Sequence, residues 1–134
     1  MASRRWGAGT GVRMMDEHDE TLELRVERVR ADRARALLAM QAVANVTGVP
    51  AAAMQSRCRV NDEVRRARSF AWYLSHTEYG WPMYRVGAAF DRDRTTVAKA
   101  CHDVEDMRDD PALDGLLERV GRGLAEITGV TEAA

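Results

Sequence analysis

Apolar residues recur at spacings of three and four along most of this chain, the pattern of helices that bury one face. Between Asp19 and Val46 the rhythm predicts one long N-terminal helix. Gly48 ends it, and Pro50 begins a short helix to Gln55. Further helices are predicted over 64–79 and after Pro111. With few strand-like alternating runs, the fold class is predicted to be all-α. The apolar positions of the long helix are Leu22, Val26, Val29, Ala36, Met40 and Val43.

The segment 84–107 contains the clearest local signal. A short apolar helix, Tyr84 to Phe90, stops at an Asp-rich turn, and Asp93 stands where a helix N-cap belongs because its carboxylate accepts free backbone N–H groups. The helix after it buries one face, made of Val97, Ala100, Cys101, Val104 and Met107. Two helices joined by a tight turn predict a helix-turn-helix over about 82–108, whose second helix enters the DNA major groove.

The exposed face of that second helix carries the groups that contact DNA. Arg94, Thr95 and Lys99 fall on this face, opposite the apolar positions. Guanidinium, hydroxyl and ammonium groups at the start of a recognition helix suit base edges and phosphates. We therefore place the candidate DNA-contacting surface at the N-terminal turn of this helix. We call this surface the reading surface and the helix that carries it the reading helix.

Charge is distributed unevenly along the chain although the net charge is −1. Residues 56–99 carry eight arginines and one lysine against five acidic residues, a net +4, whereas residues 100–134 carry three arginines against nine acidic residues, a net −6. Phosphate contacts require local rather than global positive potential. The positive charge therefore lies in the segment that contains the predicted reading helix.

A basic loop, Ser56 to Glu63, is predicted to precede the helix that begins at Val64. Asn61 or Asp62 is positioned to cap that helix. Arginines in its first turns oppose the helix dipole by about 0.3–1 kcal/mol each, which favours a neighbouring anion such as DNA phosphate. Chance placement on an exposed face is the alternative. The arginines in question are Arg65, Arg66 and Arg68.

Several functional classes are not supported by the residues. The two cysteines, Cys58 and Cys101, lack metal-ligand spacing and are expected to be reduced and half-buried. No stretch approaches the ~20 apolar residues of a membrane span, and Arg4-Arg5 is not followed by a signal-peptide core. We find no phosphate-binding Gly-Lys loop, nucleophile elbow or paired-carboxylate site, so we expect no enzyme activity, cofactor or metal, and a cytoplasmic location at the nucleoid.

The order of these features resembles the C-terminal DNA-binding domain of the bacterial replication initiator DnaA. The resemblance covers about Ala36 to Leu117 and is most specific in the string Arg92-Asp93-Arg94-Thr95-Thr96-Val97, placed after a Gly-x-x-Phe helix. It implies a Trp-repressor-like, multi-helix domain with a basic loop, a helix-turn-helix and here a long N-terminal helix. We expect one such domain over 19–130 after a disordered segment 1–18, and no room for an ATPase domain.

The resemblance also assigns roles to individual positions. Arg66 matches the family's basic-loop arginine, which enters the minor groove. Asp93, Thr95 and Thr96 match residues that contact bases in the major groove, and Lys99 lies one turn further along. The resemblance implies phosphate contacts for Arg57, Arg59, Arg65 and Arg68.

This chain departs from the family's pattern at two positions. Arg94 replaces the usual histidine, and Asp91 stands in a turn that is normally Gly-Gly and one residue longer. Arginine pairs bidentately with guanine O6 and N7, which discriminates between bases by about 1–3 kcal/mol. The preferred DNA site is therefore expected to differ from the initiator's own box.

These features predict a sequence-specific double-stranded DNA-binding protein, most simply a transcriptional activator like the stand-alone DnaA-like activators of prophages and gene transfer agents. The alternatives are an antagonist of replication initiation that shares initiator-like sites, and an interaction adaptor that has lost DNA binding. Partners would be DNA and RNA polymerase or a co-regulator. The charged first half of the N-terminal helix, Leu22 to Arg33, predicts a seam for a partner helix, a homodimer seam or a solvated extension.

Overall fold

The computed structural model describes residues 21–58 and 60–129. The chain divides into two compact units, 1–31 and 32–134. The expected disorder of residues 1–18 and the placement of Arg59 lie outside the described residues, and the predicted domain limits 19–130 remain a prediction. The described part is entirely helical, with the order α1 Leu22–Thr47, α2 Ala51–Gln55, α3 Asp62–Glu78, α4 Met83–Phe90, α5 Arg94–Met107 and α6 Pro111–Thr128.

Helix α3 is the centre of the hydrophobic core. Six consecutive residues, Phe70 to Ser75, are each no more than 5% exposed, so this stretch is covered on all sides. Helices α2, α4, α5 and α6 all pack against it. The sequence predicted one buried face here, and the observed burial is wider because four helices share α3 as their partner.

The side chains of helix α1 are exposed in its first part and buried in its second part. In the first unit Leu22, Val26 and Val29 are 73%, 45% and 40% exposed. In the second unit Ala36, Met40 and Val43 are buried in the core. The second half of this helix therefore packs on the domain core.

Helix α1 also carries a buried charge in the second unit. Asp32 is only 5% exposed, and its carboxylate accepts two hydrogen bonds, each of 2.9 Å, from Nε and Nη2 of Arg85 on α4. The Arg85 guanidinium also lies over the Trp81 ring, 4.8 Å from its centroid. This bidentate pair fixes α4, the first helix of the helix-turn-helix, against α1.

Two helices begin away from their predicted starts: α1 begins at Leu22, three residues after the predicted Asp19, and α3 begins before the predicted Val64. Asn61 caps α3 by accepting from the Val64 N–H at 2.9 Å, and Asp110 caps α6 before Pro111. Helix α3 begins at Asp62, two residues earlier than predicted, because Asp62 and Glu63 suit the positive end of the helix dipole. Arg65, Arg66 and Arg68 therefore lie in the first two turns of α3, behind Asp62 and Glu63, and the inference that an anion such as DNA phosphate lies near them remains a prediction.

Three side chains are also exposed differently from expectation. Cys58 is exposed and Cys101 is buried, whereas both were expected to be half-buried thiols. Ile127, whose spacing from Leu124 continues the buried face of α6, is 68% exposed in the last turn of that helix.

Candidate nucleic-acid interface

Helix α5 presents two chemically distinct faces. Val97, Cys101 and Val104 are buried against the core. The side chains at the opposite face of its first two turns are exposed, namely those of Arg94, Thr95, Thr96 and Lys99. Lys99 forms an exposed ion pair with Asp103 at 3.3 Å. Arg94 makes no hydrogen bond or ion pair with the described residues. The N-terminal turn of α5 is therefore an accessible surface that combines hydroxyl donors with positive charge.

Asp93 organises the start of α5. Its Oδ2 accepts hydrogen bonds from the backbone N–H groups of Thr95 at 3.0 Å and Thr96 at 3.3 Å, so the predicted N-cap is confirmed. Because the cap fixes the first turn, the side chains of Thr95 and Thr96 project from a rigid backbone. The carboxylate itself stays exposed beside them.

The turn between α4 and α5 is unusually tight. Asp91 adopts a left-handed conformation with φ 59°, a position where the absence of a Cβ normally favours glycine. A Cβ on Gly87 would lie 2.7 Å from the Arg92 carbonyl oxygen, so only glycine lets the turn fold back this closely over α4. These two positions set the angle between α4 and α5.

Two arginines tie the basic loop between α2 and α3 to this turn, and a third, Arg68, ties the loop to α3. Arg57 Nη2 donates to the Asp91 carbonyl oxygen at 2.6 Å and pairs with its carboxylate at 3.1 Å. The Ser56 carbonyl oxygen accepts from both Arg68 Nη2 at 2.9 Å and Arg92 Nη2 at 3.0 Å. The loop and the reading helix therefore form one connected surface.

The predicted phosphate-contact residues differ in how far they are available to a ligand. Arg57 is 63% exposed in its side chain although it bridges to Asp91. Arg65, also 63% exposed, pairs with Asp62 one turn earlier. Arg68 is half-buried and donates from Nε to the Met54 carbonyl oxygen at 2.9 Å as well as to Ser56. Arg68 therefore fixes the backbone at the start of the loop through these hydrogen bonds. Sequence reasoning missed this function, and also that of Arg92, because their acceptors are backbone carbonyls that no pattern marks.

Arg66 lies apart from this group. It is exposed on α3, makes no hydrogen bond or ion pair with the described residues, and lines a groove with Phe70, Met107 and Leu113. The structure thus brings Arg57, Arg68 and the α5 N-terminus together, whereas Arg66 faces the C-terminal end of α5. Its predicted contact with a minor groove stays a prediction.

Burial, neighbouring positive charge and a hydrogen bond shift the pKa values of three groups in this region. Burial, and then the nearby Arg92, lower the pKa of Arg68, while burial and Arg57 lower the pKa of Arg92. The hydrogen bond from Arg57 holds the pKa of the Asp91 carboxyl below its ordinary value. The two arginine shifts reflect burial first and repulsion by a neighbouring guanidinium second, and the Asp91 shift reflects its pairing with Arg57.

The described residues were also compared with the requirements of a metal site and of a membrane-spanning helix. They contain no group of three or more His, Cys, Asp or Glu side chains arranged to hold a metal ion. Over the same residues, no helix has both the length and the apolar character needed to cross a membrane.

Comparisons with known proteins agree with this geometry. The family model described as the bacterial dnaA protein helix-turn-helix matches residues 38–104. A solved structure described as the crystal structure of a DNA replication initiation factor superimposes with a TM-score of 0.67 at 25% sequence identity, covering 78% of this chain and 32% of that one. The present chain thus spans about a third of that structure. No curated protein matches the sequence.

Proposed function

This chain belongs to the bacterial DnaA helix-turn-helix family and is a DNA-binding protein, and we propose that it acts as a sequence-specific transcriptional regulator, most simply an activator. In this proposal the first two turns of α5 enter the major groove of double-stranded DNA. Asp93, Arg94, Thr95 and Thr96 contact base edges there, and Lys99 contacts the backbone one turn later.

The observation that supports this proposal best is the exposed, capped N-terminus of α5. Its reading side chains are accessible while the opposite face is buried, so the helix can enter a groove without unfolding any core contact. The Asp93 cap and the Asp91 turn hold that end in one conformation, which reduces the ordering cost of binding.

The connected loop supports a second set of contacts. We propose that Arg57 and Arg65 contact phosphates, that Arg59 joins them, and that Arg68 acts mainly by holding the loop in place. Arg66 is proposed to reach a minor groove from its exposed position on α3. Lysine and arginine contacts to phosphate position a protein on DNA without selecting a sequence.

Regulation of replication initiation is the second candidate. The likeness to a structure named as a DNA replication initiation factor favours initiator-like sites, at which this protein would compete with the initiator. Transcription and replication are separated by where the protein binds, so one genome-wide experiment distinguishes them.

We further propose that the exposed apolar residues at the start of α1 provide a contact for a second copy or for RNA polymerase or a co-regulator. Leu22, Val26 and Val29 recur at spacings of four and three, the repeat of a coiled-coil seam. Sedimentation of the full chain against a chain that begins at Arg33 tests the dimer. Identical monomer masses for both would remove it.

The decisive test is chromatin immunoprecipitation with sequencing in the native host, followed by binding of the purified protein to the recovered sites at two salt concentrations. Sharp promoter peaks that share a motif are expected. Peaks confined to a replication origin would favour the second candidate. The absence of enrichment together with no binding at low salt would contradict both and leave an interaction adaptor.

Three variants test the assigned contacts. Arg94→His should change the preferred sequence more than the overall affinity, since it replaces a bidentate guanine donor. Arg66→Ala should weaken binding and reduce the salt slope by about 1. Arg119→Gln, an exposed change of one charge on α6, is the control and should leave sequence preference unchanged. A uniform loss of affinity in Arg94→His, with preference unchanged, would show that Arg94 contacts only phosphate.

A further inference from the structure

A cavity of about 290 Å³ opens beside the reading surface, lined by α1, α2, α3 and the α4–α5 turn. Its size is at the lower end of the roughly 300–1,000 Å³ typical of small-molecule sites. The cavity therefore has room for a ligand no larger than an amino acid or a simple aromatic acid. None of the contacts proposed for DNA accounts for it.

The floor of this cavity is apolar and partly aromatic. It is formed by Met40 from α1, Met54 from α2, Trp72 from α3 and Phe90 from α4. The Trp72 and Phe90 rings meet edge to face with centroids 6.5 Å apart, which gives the floor a fixed shape. Flexible methionines beside rigid rings suit a small aromatic or branched apolar group.

The rim is strongly basic. Arg33, Arg57 and Arg92 surround the opening, and Asp91 is the one carboxylate among the lining residues. Arg57 and Arg92 donate to the Asp91 carbonyl oxygen at 2.6 and 3.2 Å. Arg33 is exposed and makes no hydrogen bond or ion pair with the described residues. One guanidinium at the rim therefore retains all its donors, next to a local excess of positive charge.

We propose that this cavity binds a small organic anion, a carboxylate or phosphate head carried on an aromatic or branched apolar body, and that its occupancy lowers the affinity of the protein for DNA. The apolar body enters against Trp72 and Phe90, and the anionic head pairs with Arg33 and Arg57 at the rim. A planar guanidinium matches either head bidentately.

The effect on DNA follows from a shared residue. Arg57 lines the cavity and ties the basic loop to Asp91, so an anion that engages Arg57 removes a phosphate partner and alters the loop. Coupling between two ligands is reciprocal, so bound DNA must lower the affinity of the protein for the anion by the same factor. The effect of the anion on DNA affinity rests on the proposed function, because it requires Arg57 to lie at the DNA interface. Binding of the anion to the cavity does not depend on the proposed function.

The test uses 3-phenylpropanoate and phenyl phosphate as probes, added to the full chain labelled with ¹⁵N. Both are expected to bind with dissociation constants in the millimolar range or below, and to shift the indole N–H signal of Trp72. The neutral 3-phenylpropanamide lacks the anionic head and is the control for its charge. Inorganic phosphate lacks the phenyl group and is the control for the apolar body. Tighter binding of one probe identifies the preferred head.

Arg33→Gln should weaken both probes by about tenfold, since a hydrogen bond to a charged group is lost. Arg119→Gln changes the net charge equally, far from the rim, and should leave probe affinity unchanged. Equal losses in the two variants would show that only general positive potential attracts the probes. No shift with either probe up to about 10 mM, or equal shifts with inorganic phosphate, would overturn the site.

The coupling is measured on the same samples by titrating a DNA site recovered from the genome with and without saturating probe. A fall in DNA affinity of about fivefold or more is expected for the native chain and a smaller fall for Arg33→Gln. Unchanged DNA affinity with the probe bound would overturn the coupling and retain the site. If no DNA binds at all, the proposed function fails, while the probe titration still decides whether the anion site exists.

Discussion

At the scale of single residues, the interface depends on two aspartates that shape the backbone of the helix-turn-helix, Asp93 through its carboxylate and Asp91 through its left-handed conformation. Asp93 caps α5 and Asp91 terminates α4, and both stay exposed. A capping carboxylate fixes where the hydroxyls beside it project, so it affects recognition even where it touches no base. Stability and DNA affinity must therefore be measured together for each of these residues.

Replacing the cap tests this double role. Asp93→Ala should lower the free energy of unfolding by about 1 kcal/mol, because the N–H groups of Thr95 and Thr96 lose their acceptor. Asp93→Asn keeps an acceptor oxygen and should retain most of the stability. Urea unfolding followed by circular dichroism measures both. Equal destabilisation by the two substitutions would show that the carboxylate charge, rather than the cap geometry, stabilises this end.

The Asp91 backbone gives a second prediction at this scale. Asp91→Gly should be more stable than Asp91→Ala by about 1 kcal/mol, since both lose the same ion pair with Arg57 but only glycine relieves the left-handed strain. The comparison uses urea unfolding at neutral pH. An alanine variant as stable as the glycine variant would contradict the left-handed conformation of this turn.

At the scale of elements, the angle between α4 and α5 is set by close backbone packing. The Arg92 N–H donates to the Gly87 carbonyl oxygen at 2.8 Å, and the Arg92 carbonyl oxygen occupies the space of a Cβ at position 87. The obstacle is main chain, which cannot move without shifting the start of α5. The geometry of the reading unit therefore requires this one glycine.

Two glycine-to-alanine substitutions separate packing from helix propensity. Gly87→Ala should destabilise the protein by about 2 kcal/mol or more and weaken DNA binding, because the turn must open. Gly123→Ala, whose Cβ meets nothing within 4 Å on α6, should stabilise by about 0.5–1 kcal/mol. Thermal unfolding measures both changes. A neutral Gly87→Ala would show that the turn has room the structure does not display.

At the scale of the whole molecule, a few long-range polar contacts fix how the helices meet. The pair of Asp32 and Arg85 joins residues 53 positions apart, and Tyr79 donates from its hydroxyl to the Arg35 carbonyl oxygen at 2.8 Å. Arg108 at the end of α5 donates to the Tyr73 hydroxyl at 3.0 Å and pairs with Asp114 of α6. Each contact joins residues of two helices that are distant in the sequence.

Removing the buried carboxylate should be costly. Asp32→Ala is expected to lower the free energy of unfolding by about 2–4 kcal/mol, because Arg85 loses a desolvated bidentate partner. Asp103→Ala, which breaks the exposed pair with Lys99, is the control and should change it by less than about 0.5 kcal/mol. Unfolding in guanidinium chloride measures the free energy of unfolding of both variants. Similar small effects would show that the Asp32 pair contributes no more than a surface pair.

Alkaline pH provides a test of the same packing. Burial raises the pKa of Tyr79 to about 12, above its ordinary value of 10.0. The folded protein therefore holds this proton more tightly than the unfolded chain, so the stabilisation is complete below pH 10 and is lost as the pH rises from 10 to about 12. Tyr79→Phe should show a shallower loss over that window in urea unfolding. An unchanged slope would mean that other groups cause the alkaline instability.

The sequence by itself determined the features that depend on neighbours a few residues apart. Helical periodicity, the Asp93 cap and the stop at Gly48 were all predicted, as was the all-α fold with its helix-turn-helix, and Asn61 was one of the two predicted caps of α3. The exposed face of α5 followed from the same period. These features are local because hydrogen bonds within a helix and its caps span only three or four positions.

Only the tertiary structure decided which distant groups meet. Nothing in the pattern marks Arg92 and Arg68 as donors to Ser56, Arg33 as the rim of a cavity, or Asp32 as the buried partner of Arg85. An arginine side chain is long, and each of its donors can satisfy a backbone carbonyl, a carboxylate or a phosphate. Which acceptor it finds depends on how the helices pack, and that packing comes from the core as a whole.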